Sequence, residues 1–307
     1  MPTAKEIKEQ VASETHRQSR LAVPALAGGV LYLLSAIILS ATLKDVPTVG
    51  LLQGLTPALS GKGASAVSPR APEVKFFSHH AGPLIIGSVL EAISLVAFVL
   101  VLLLLVDATV FRRPNSWRAG RPLVLVGGIA LAVLSVGHQV VTSIETHNFA
   151  VGHDFSGHAV DQALTKGATN LTVEYLDLLA GLAFAAGIIG TNLNALRVGL
   201  LPRWMSILGI FTGILVFAPI GGAELKVVPA FWMVMMGIMY AGRWPNGQPP
   251  AWVAGEARPW PSQAQLRAEK RGEGQVAVAT GVGDVTPAPA PRAGTSRKRR
   301  RKRGPSR

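Results

Sequence analysis

Cysteine is absent from this 307-residue chain, and charged residues make up only 15% of it. Without cysteine there are no disulfide bonds, no zinc sites built from thiolates and no cysteine nucleophile. The scarcity of charge argues against a soluble domain, in which about 25% of residues are typically charged. Several long uncharged runs account for the deficit, and each of them is a candidate membrane span.

Familiar catalytic motifs are missing as well. No Gly-rich phosphate loop follows a strand, and neither the nucleophile elbow G-x-S-x-G nor the zinc motif H-E-x-x-H occurs in the chain. These absences disfavour an enzyme, although they leave room for a membrane hydrolase that holds a metal ion with scattered histidines and acids.

Six apolar stretches predict an all-α fold, a polytopic bundle of transmembrane helices. Residues 1–20 are expected to form a cytoplasmic segment with a short surface helix, and residues 21–242 the transmembrane domain. Residues 243–307 are expected to be a disordered, basic cytoplasmic tail, and the connection 44–79 an irregular loop. The spans are predicted at about residues 21–43, 82–106, 122–144, 171–196, 204–220 and 227–241.

Lysine and arginine fall mostly on one side of this predicted bundle. Of the 30 basic residues, 24 lie in the N-terminal segment, the 107–121 loop, the 197–203 turn and the tail, and six lie in the other connections. Because basic residues accumulate in cytoplasmic loops, both termini are predicted to be cytoplasmic.

Near its end the tail has seven consecutive basic residues, Arg297–Arg303. Its apolar content is too low to offset the chain entropy lost on folding, so we expect disorder. Beside a membrane, the run is predicted to bind anionic lipid headgroups at about 1 kcal/mol per residue near the surface. Nucleic acid is the less favoured partner.

Glu91 is the one ionisable residue between His80 and Asp107. A helix that starts at Gly82 places its carboxyl group about 14 Å down, near the bilayer midplane. A charge at that depth is costly, so Glu91 must be neutral, paired or facing a wet cavity. A protonated carboxyl group bonded to a neighbouring helix is the structural alternative to a proton or cation relay.

Polar side chains recur at helical spacing in three of the predicted spans. Steps of three and four residues place each set on one helix face, which predicts a polar cavity open to the outside if the three faces converge. The sets are Ser88, Glu91 and Ser94 in span two, Ser135, His138, Thr142 and Glu145 in span three, and Glu174, Asp177 and Gly181 in span four.

A metal site is the most specific version of this hypothesis, since imidazole and carboxylate groups bind zinc and copper. As alternatives, the loop histidines are solvated polar residues, Glu174 and Asp177 are acids favoured by the helix dipole, and His138 bonds a neighbouring backbone. The candidate ligands are His138, Glu91, Glu174, Asp177, His153 and His158.

The stretch Arg197–Trp204, with its Leu-Pro-Arg-Trp turn, resembles a broad bacterial family of six-span membrane proteins of unknown function. In that family, such a cytoplasmic turn joins spans four and five. The resemblance implies a bacterial plasma-membrane location, and it implies no activity and no functional residue.

Three functions remain open from the sequence. The first is a non-enzymatic membrane protein whose outward-facing cavity handles protons, a metal ion or a small ligand, or senses external conditions. The second is a structural or partner-binding subunit whose polar residues only hold helices together. The third is the metal-dependent membrane hydrolase.

Overall fold

The structure is a computed structural model, and all of its regular secondary structure within the described residues is helical. The described residues are 3–59, 61, 67–114, 116–117, 119–152, 154–166, 168–217, 225–245, 247–260 and 267. The chain divides into two compact units, Met1–Trp260 and Pro261–Arg307. The basic run Arg297–Arg303 lies outside the described residues.

The first unit is built from long helices and short connecting ones. The helices are α1 (Ala4–Leu43), α2 (Leu51–Leu59), α3 (Ala71–His79), α4 (Ala81–Arg112), α5 (Gly120–Gly152), α6 (Gly157–Asp161), α7 (Ala168–Val198), α8 (Arg203–Phe217), α9 (Val227–Tyr240) and α10 (Pro250–Ala254). The first unit also contains two π-helical segments, Leu123–Gly127 within α5 and Gln162–Lys166 after α6.

Helices α1, α4, α5 and the run that includes α7 are long and apolar enough to cross a membrane. Helices α8 and α9 are apolar but have only 15 and 14 residues, about 22 Å of helix each, less than the ~30 Å bilayer core. The predicted all-α class is therefore confirmed, and the chain has the helices of a membrane protein. The number of spans and their orientation remain predictions.

Helix α4 lies at the centre of the bundle. It packs on α1, α5 and α7, while α1 also packs on α9, and α7 on α8. The Val101–Leu105 stretch of α4 is almost entirely buried because the helix has neighbours on several sides. Such an all-round apolar surface is typical of a helix enclosed by others.

Glycine allows α1 to approach its neighbours closely. A Cβ atom on Gly28 would lie 2.7 Å from the Ala97 Cβ of α4, and one on Gly29 would lie 2.8 Å from the Ala230 carbonyl oxygen of α9. The Ser94 hydroxyl donates a 2.7 Å hydrogen bond to the Gly28 carbonyl at the same crossing. Small residues and a buried hydroxyl are the usual means of packing helices in membranes.

Two segments fold differently from the sequence-based expectation. Residues 4–20 are continuous with the first apolar stretch in one 40-residue helix, which starts with a capping box between Thr3 and Glu6. Connection 44–79 contains α2 and α3 instead of an irregular loop, since Pro72 and Glu73 favour a helix start. Helix α3 buries Ala71 and Val74 against Phe149 and Val160.

The first part of the predicted tail, residues 243–260, is folded. Trp252 is buried and donates a 2.9 Å hydrogen bond to the Leu200 carbonyl, and Trp260 donates a 2.8 Å bond to the Leu201 carbonyl. Residues 243–260 thus belong to the first compact unit. Trp252 and Trp260 supply apolar area that the average composition of residues 243–307 does not reveal.

A buried ion pair closes one end of the bundle, which we call the ion-pair end and define by Glu14, Asp107 and Arg112. The Arg112 guanidinium makes bonds of 2.8 and 2.7 Å to the two Glu14 oxygens, and the two side chains are 0% and 2% exposed. Arg112 also donates to the carbonyls of Ala108 and Ala251. These four bonds use four of the five N–H donors of the guanidinium, and the pair ties α1 and α4 to α10.

We predict that Glu14→Gln costs about 3–5 kcal/mol in the free energy of unfolding, since it leaves a buried guanidinium without a counter-charge. Chemical denaturation of the purified protein in detergent measures this. Glu9→Gln is the matched control on the same helix, because Glu9 pairs with Lys5 only at 3.9 Å on the exposed surface. That control should leave stability nearly unchanged, and equal effects of the two changes would contradict the prediction.

Candidate functional site

A cavity of about 650 Å³ opens at the other end of the bundle, where α1, α5 and α8 end and α4, α7 and α9 begin. We call it the cavity end. Half of the lining residues are apolar, most of them leucines. Arg70, just before α3, and Glu73 and Phe77 of α3 lie at the edge of the cavity. The polar and charged lining residues are Tyr32, Arg70, Glu73, Ser88, Glu91, Ser135, His138, Gln139, Thr142, Asp177 and Lys226.

Glu91 is paired, and its partner is Lys226 at the start of α9. The Lys226 ammonium lies 2.7 Å from each oxygen of the Glu91 carboxylate. The Lys226 side chain is 22% exposed and the Glu91 side chain 19%, so the pair is half-buried and remains accessible from the cavity. The same ammonium lies 5.4 Å from the centre of the Tyr32 ring, a cation–π contact that holds it against α1.

Sequence reasoning missed Lys226 as the partner of Glu91. The residue follows a short connection and precedes an apolar helix, so it was counted only as one of six basic residues in the outer loops. The sequence does indicate that the two residues could pair, since Glu91 is a lone acid in one apolar stretch and Lys226 is a lone cation at the edge of another. Opposite charges of this kind suggest possible ion pairs, but they do not show which residues are in contact.

His138 and Asp177 also line the cavity, from α5 and α7. The Oδ1 atom of Asp177 is buried and has no hydrogen-bond partner in the described part of the chain. Six of the side chains that the sequence placed on three separate helix faces therefore share one cavity. They are Ser88, Glu91, Ser135, His138, Thr142 and Asp177.

Other residues of the three predicted stripes lie elsewhere. Glu174 is exposed and does not line the cavity, although it is one turn from Asp177. Ser94 is buried at the crossing of α1 and α4. Glu145 lines a smaller cavity of about 210 Å³ together with Asp154.

The predicted metal ligands are only partly brought together. Glu91, His138 and Asp177 share the cavity, Glu174 and His158 are exposed outside it, and His153 lies outside the described residues. Among the residues that the structure describes, no three His, Asp or Glu side chains are grouped as metal ligands. Zinc or copper binding stays a prediction that rests on the sequence.

Charges at the cavity edge are held by local hydrogen bonds. Arg70 donates to the two oxygens of Glu73 at 2.8 and 3.1 Å, and these bonds raise the pKa of the Arg70 guanidinium above its ordinary value. Farther out, the backbone N–H of Ser156 donates to Asp154 and lowers the pKa of that carboxyl group. Both groups therefore stay ionised at neutral pH.

Known proteins offer no relative from which a function could be transferred. No protein-family model matches the chain, and no curated protein or solved structure is significantly similar to it. The family resemblance of the Leu-Pro-Arg-Trp turn therefore stays a prediction, and the function has to be argued from the cavity.

We predict that the Glu91–Lys226 pair is coupled in its effect on stability. Glu91→Gln and Lys226→Met should each destabilise the fold, because each leaves the other charge partly buried without a partner. The double variant should be less costly than the sum of the two, with a coupling energy of about 0.5–3 kcal/mol. Thermal or denaturant unfolding of the four proteins in detergent measures the cycle.

Ser88→Ala combined with Lys226→Met gives the matched control. Ser88 lines the same cavity, but its hydroxyl is bonded to the Leu84 carbonyl of its own helix and carries no charge. Its effect should add to that of Lys226→Met. Additive behaviour of Glu91 and Lys226 themselves would show that the contact carries no stabilising energy.

Proposed function

We propose that this chain is a bacterial plasma-membrane protein with six spans that binds a small ligand in an outward-facing cavity, for transport or sensing. The observation that carries the proposal is the convergence of charged and polar side chains from α4, α5, α7 and α9 on one 650 Å³ space. Both termini are proposed to be cytoplasmic.

The size and chemistry of the cavity support ligand binding. Sites for small molecules commonly have volumes of about 300–1,000 Å³, with mostly apolar walls and a few convergent polar groups. Here the leucines of several helices form the walls, and Glu91, His138, Asp177 and Lys226 supply the polar groups. Ionisable residues within membrane helices usually face such a cavity, because exposure to lipid would be costly.

The distribution of charge supports the proposed orientation. The ion-pair end carries Arg17, Arg112 and Arg121, and Arg17 and Arg121 approach Asp107 at 3.0 and 3.7 Å. The cavity end lies on the opposite side of the bundle, near the connections that contain few basic residues. Under the positive-inside rule, the cavity then opens to the outside of the cell.

A structural or partner-binding subunit is the second candidate, and one contact favours it. The Glu91–Lys226 pair joins α4 to the start of α9, which is what a purely structural polar residue would do. A metal-dependent hydrolase is the third. Elemental analysis of the purified protein tests it, since a hydrolase of this kind requires a stoichiometric metal ion that is lost on His138→Ala.

We predict that the cavity can be labelled from outside the cell. The natural chain has no cysteine, so Ser135→Cys and Thr142→Cys each create a unique thiol in the cavity wall. A membrane-impermeant maleimide should modify both in intact cells. Failure to label them in intact and in permeabilised cells alike would show that the cavity is closed.

Two further single-cysteine variants serve as controls. Ser19→Cys lies on the exposed surface of α1 near the ion-pair end and should be labelled only after the cells are permeabilised. Ser94→Cys lies at a fully buried position and should stay unlabelled in both conditions. The opposite pattern, with Ser19→Cys labelled in intact cells and the cavity positions protected, would reverse the proposed orientation.

We also propose that the basic run Arg297–Arg303 binds anionic headgroups on the cytoplasmic leaflet. A synthetic peptide that spans residues 291–307 should bind vesicles that contain phosphatidylglycerol and should be released by high salt, since surface attraction of this kind is screened. Cosedimentation measures the bound fraction. Equal binding to vesicles of neutral lipid would exclude a headgroup-specific attraction.

A further inference from the structure

We propose that the ligand of the cavity is an organic cation, an ammonium group attached to an apolar body, and that Asp177 is its counter-charge. This inference rests on the proposed ligand-binding function and specifies the chemical class of the ligand. It follows from the charges that line the cavity, from the surroundings of Asp177 and from the nature of the remaining wall.

The charges of the cavity lining do not balance. As a formal count of Lys, Arg, Asp and Glu, the lining has two cations, Arg70 and Lys226, and three carboxylates. Arg70 is bonded to both oxygens of Glu73, and Lys226 to both oxygens of Glu91. Each cation therefore already has a carboxylate, and the third carboxylate, Asp177, is left as the excess negative charge.

Asp177 is placed to receive a ligand. It is ten residues into α7, about 14 Å from the start of that helix, and its Oδ1 atom is buried without a hydrogen-bond partner in the described part of the chain. A carboxylate oxygen that is withdrawn from water and receives no bond is energetically costly. An ammonium group in the cavity would supply the missing positive charge beside this carboxylate.

The rest of the wall favours an organic cation over a metal ion. Leucines such as Leu84, Leu95 and Leu131 line a space of about 650 Å³, which is far larger than a dehydrated metal ion needs. Among the described residues no three His, Asp or Glu side chains form a metal-ligand group. Phe77 adds an aromatic ring at the cavity edge, a further surface that attracts ammonium groups.

A matched series of probes tests the charge preference. The probes are 2-phenylethylammonium, 2-phenylethanol and 3-phenylpropionate, which share an apolar body and differ in the charge of the head group. Binding to the full chain in lipid nanodiscs is measured by calorimetry, with empty nanodiscs as the blank. We expect the ammonium probe to bind at least about tenfold more tightly than the other two, as a charge-assisted hydrogen bond implies.

Variants of α7 locate the counter-charge. Asp177→Asn should weaken binding of the ammonium probe by about tenfold or more, while Asp177→Glu, which keeps the charge, should largely retain it. Glu174→Gln is the matched control, because it removes an acid of the same helix that is exposed outside the cavity. It should leave binding unchanged, and size-exclusion chromatography checks that each variant is folded.

The outcomes separate this inference from the function on which it rests. Equal or tighter binding of the neutral or anionic probe, or unchanged binding to folded Asp177→Asn, would overturn the cation assignment and leave a ligand-binding cavity. Tight stoichiometric binding of zinc that competes with the ammonium probe would overturn it in favour of a metal ion. If no probe binds although Thr142→Cys is labelled from outside, the proposed ligand-binding function fails as well.

Discussion

A carboxylate within an apolar helix cannot stay both charged and alone, and the cavity end of this protein is arranged around that constraint. Glu91 sits well inside α4, and the ammonium of Lys226 reaches it from the start of α9 with two bonds of 2.7 Å. The pair brings α9 against α4 and α1, with the Tyr32 ring beneath the ammonium. Because both side chains remain partly exposed, the space beside them is polar and accessible instead of closed by packing.

The two ends of the bundle use the same kind of contact for different purposes. At the ion-pair end, Arg112 and Glu14 are fully buried and all their strong bonds are made within the protein. Such a pair contributes to holding α1, α4 and α10 together, and its burial keeps it from a ligand. At the cavity end, Asp177 retains an oxygen without a partner in the described chain. The cavity end therefore differs from the ion-pair end in having a carboxyl group whose bonds are not all made within the described chain.

Periodicity within a helix predicted the cavity residues only in part. Glu174 and Asp177 are three residues apart and were expected to share a face, yet Asp177 lines the cavity and Glu174 is exposed outside it. Residues at this spacing differ by about 60° around the helix axis, which is enough to separate the edge of a cavity from the surface. The rotation of α7 about its own axis is set by packing on α4, α5 and α8, which the pattern of a single helix does not contain.

Hydrophobicity and charge in the sequence alone determined that the chain forms long apolar helices and that Glu91 requires a partner or a wet surface. These properties are local, since they depend on composition and on the free energy of placing each residue in oil or water. Only the tertiary structure decided that Lys226 is the partner of Glu91, that Arg112 pairs with Glu14, and that Trp252 and Trp260 belong to the folded unit. Those contacts join residues tens of positions or more apart, and the chain acquires them only when whole helices pack.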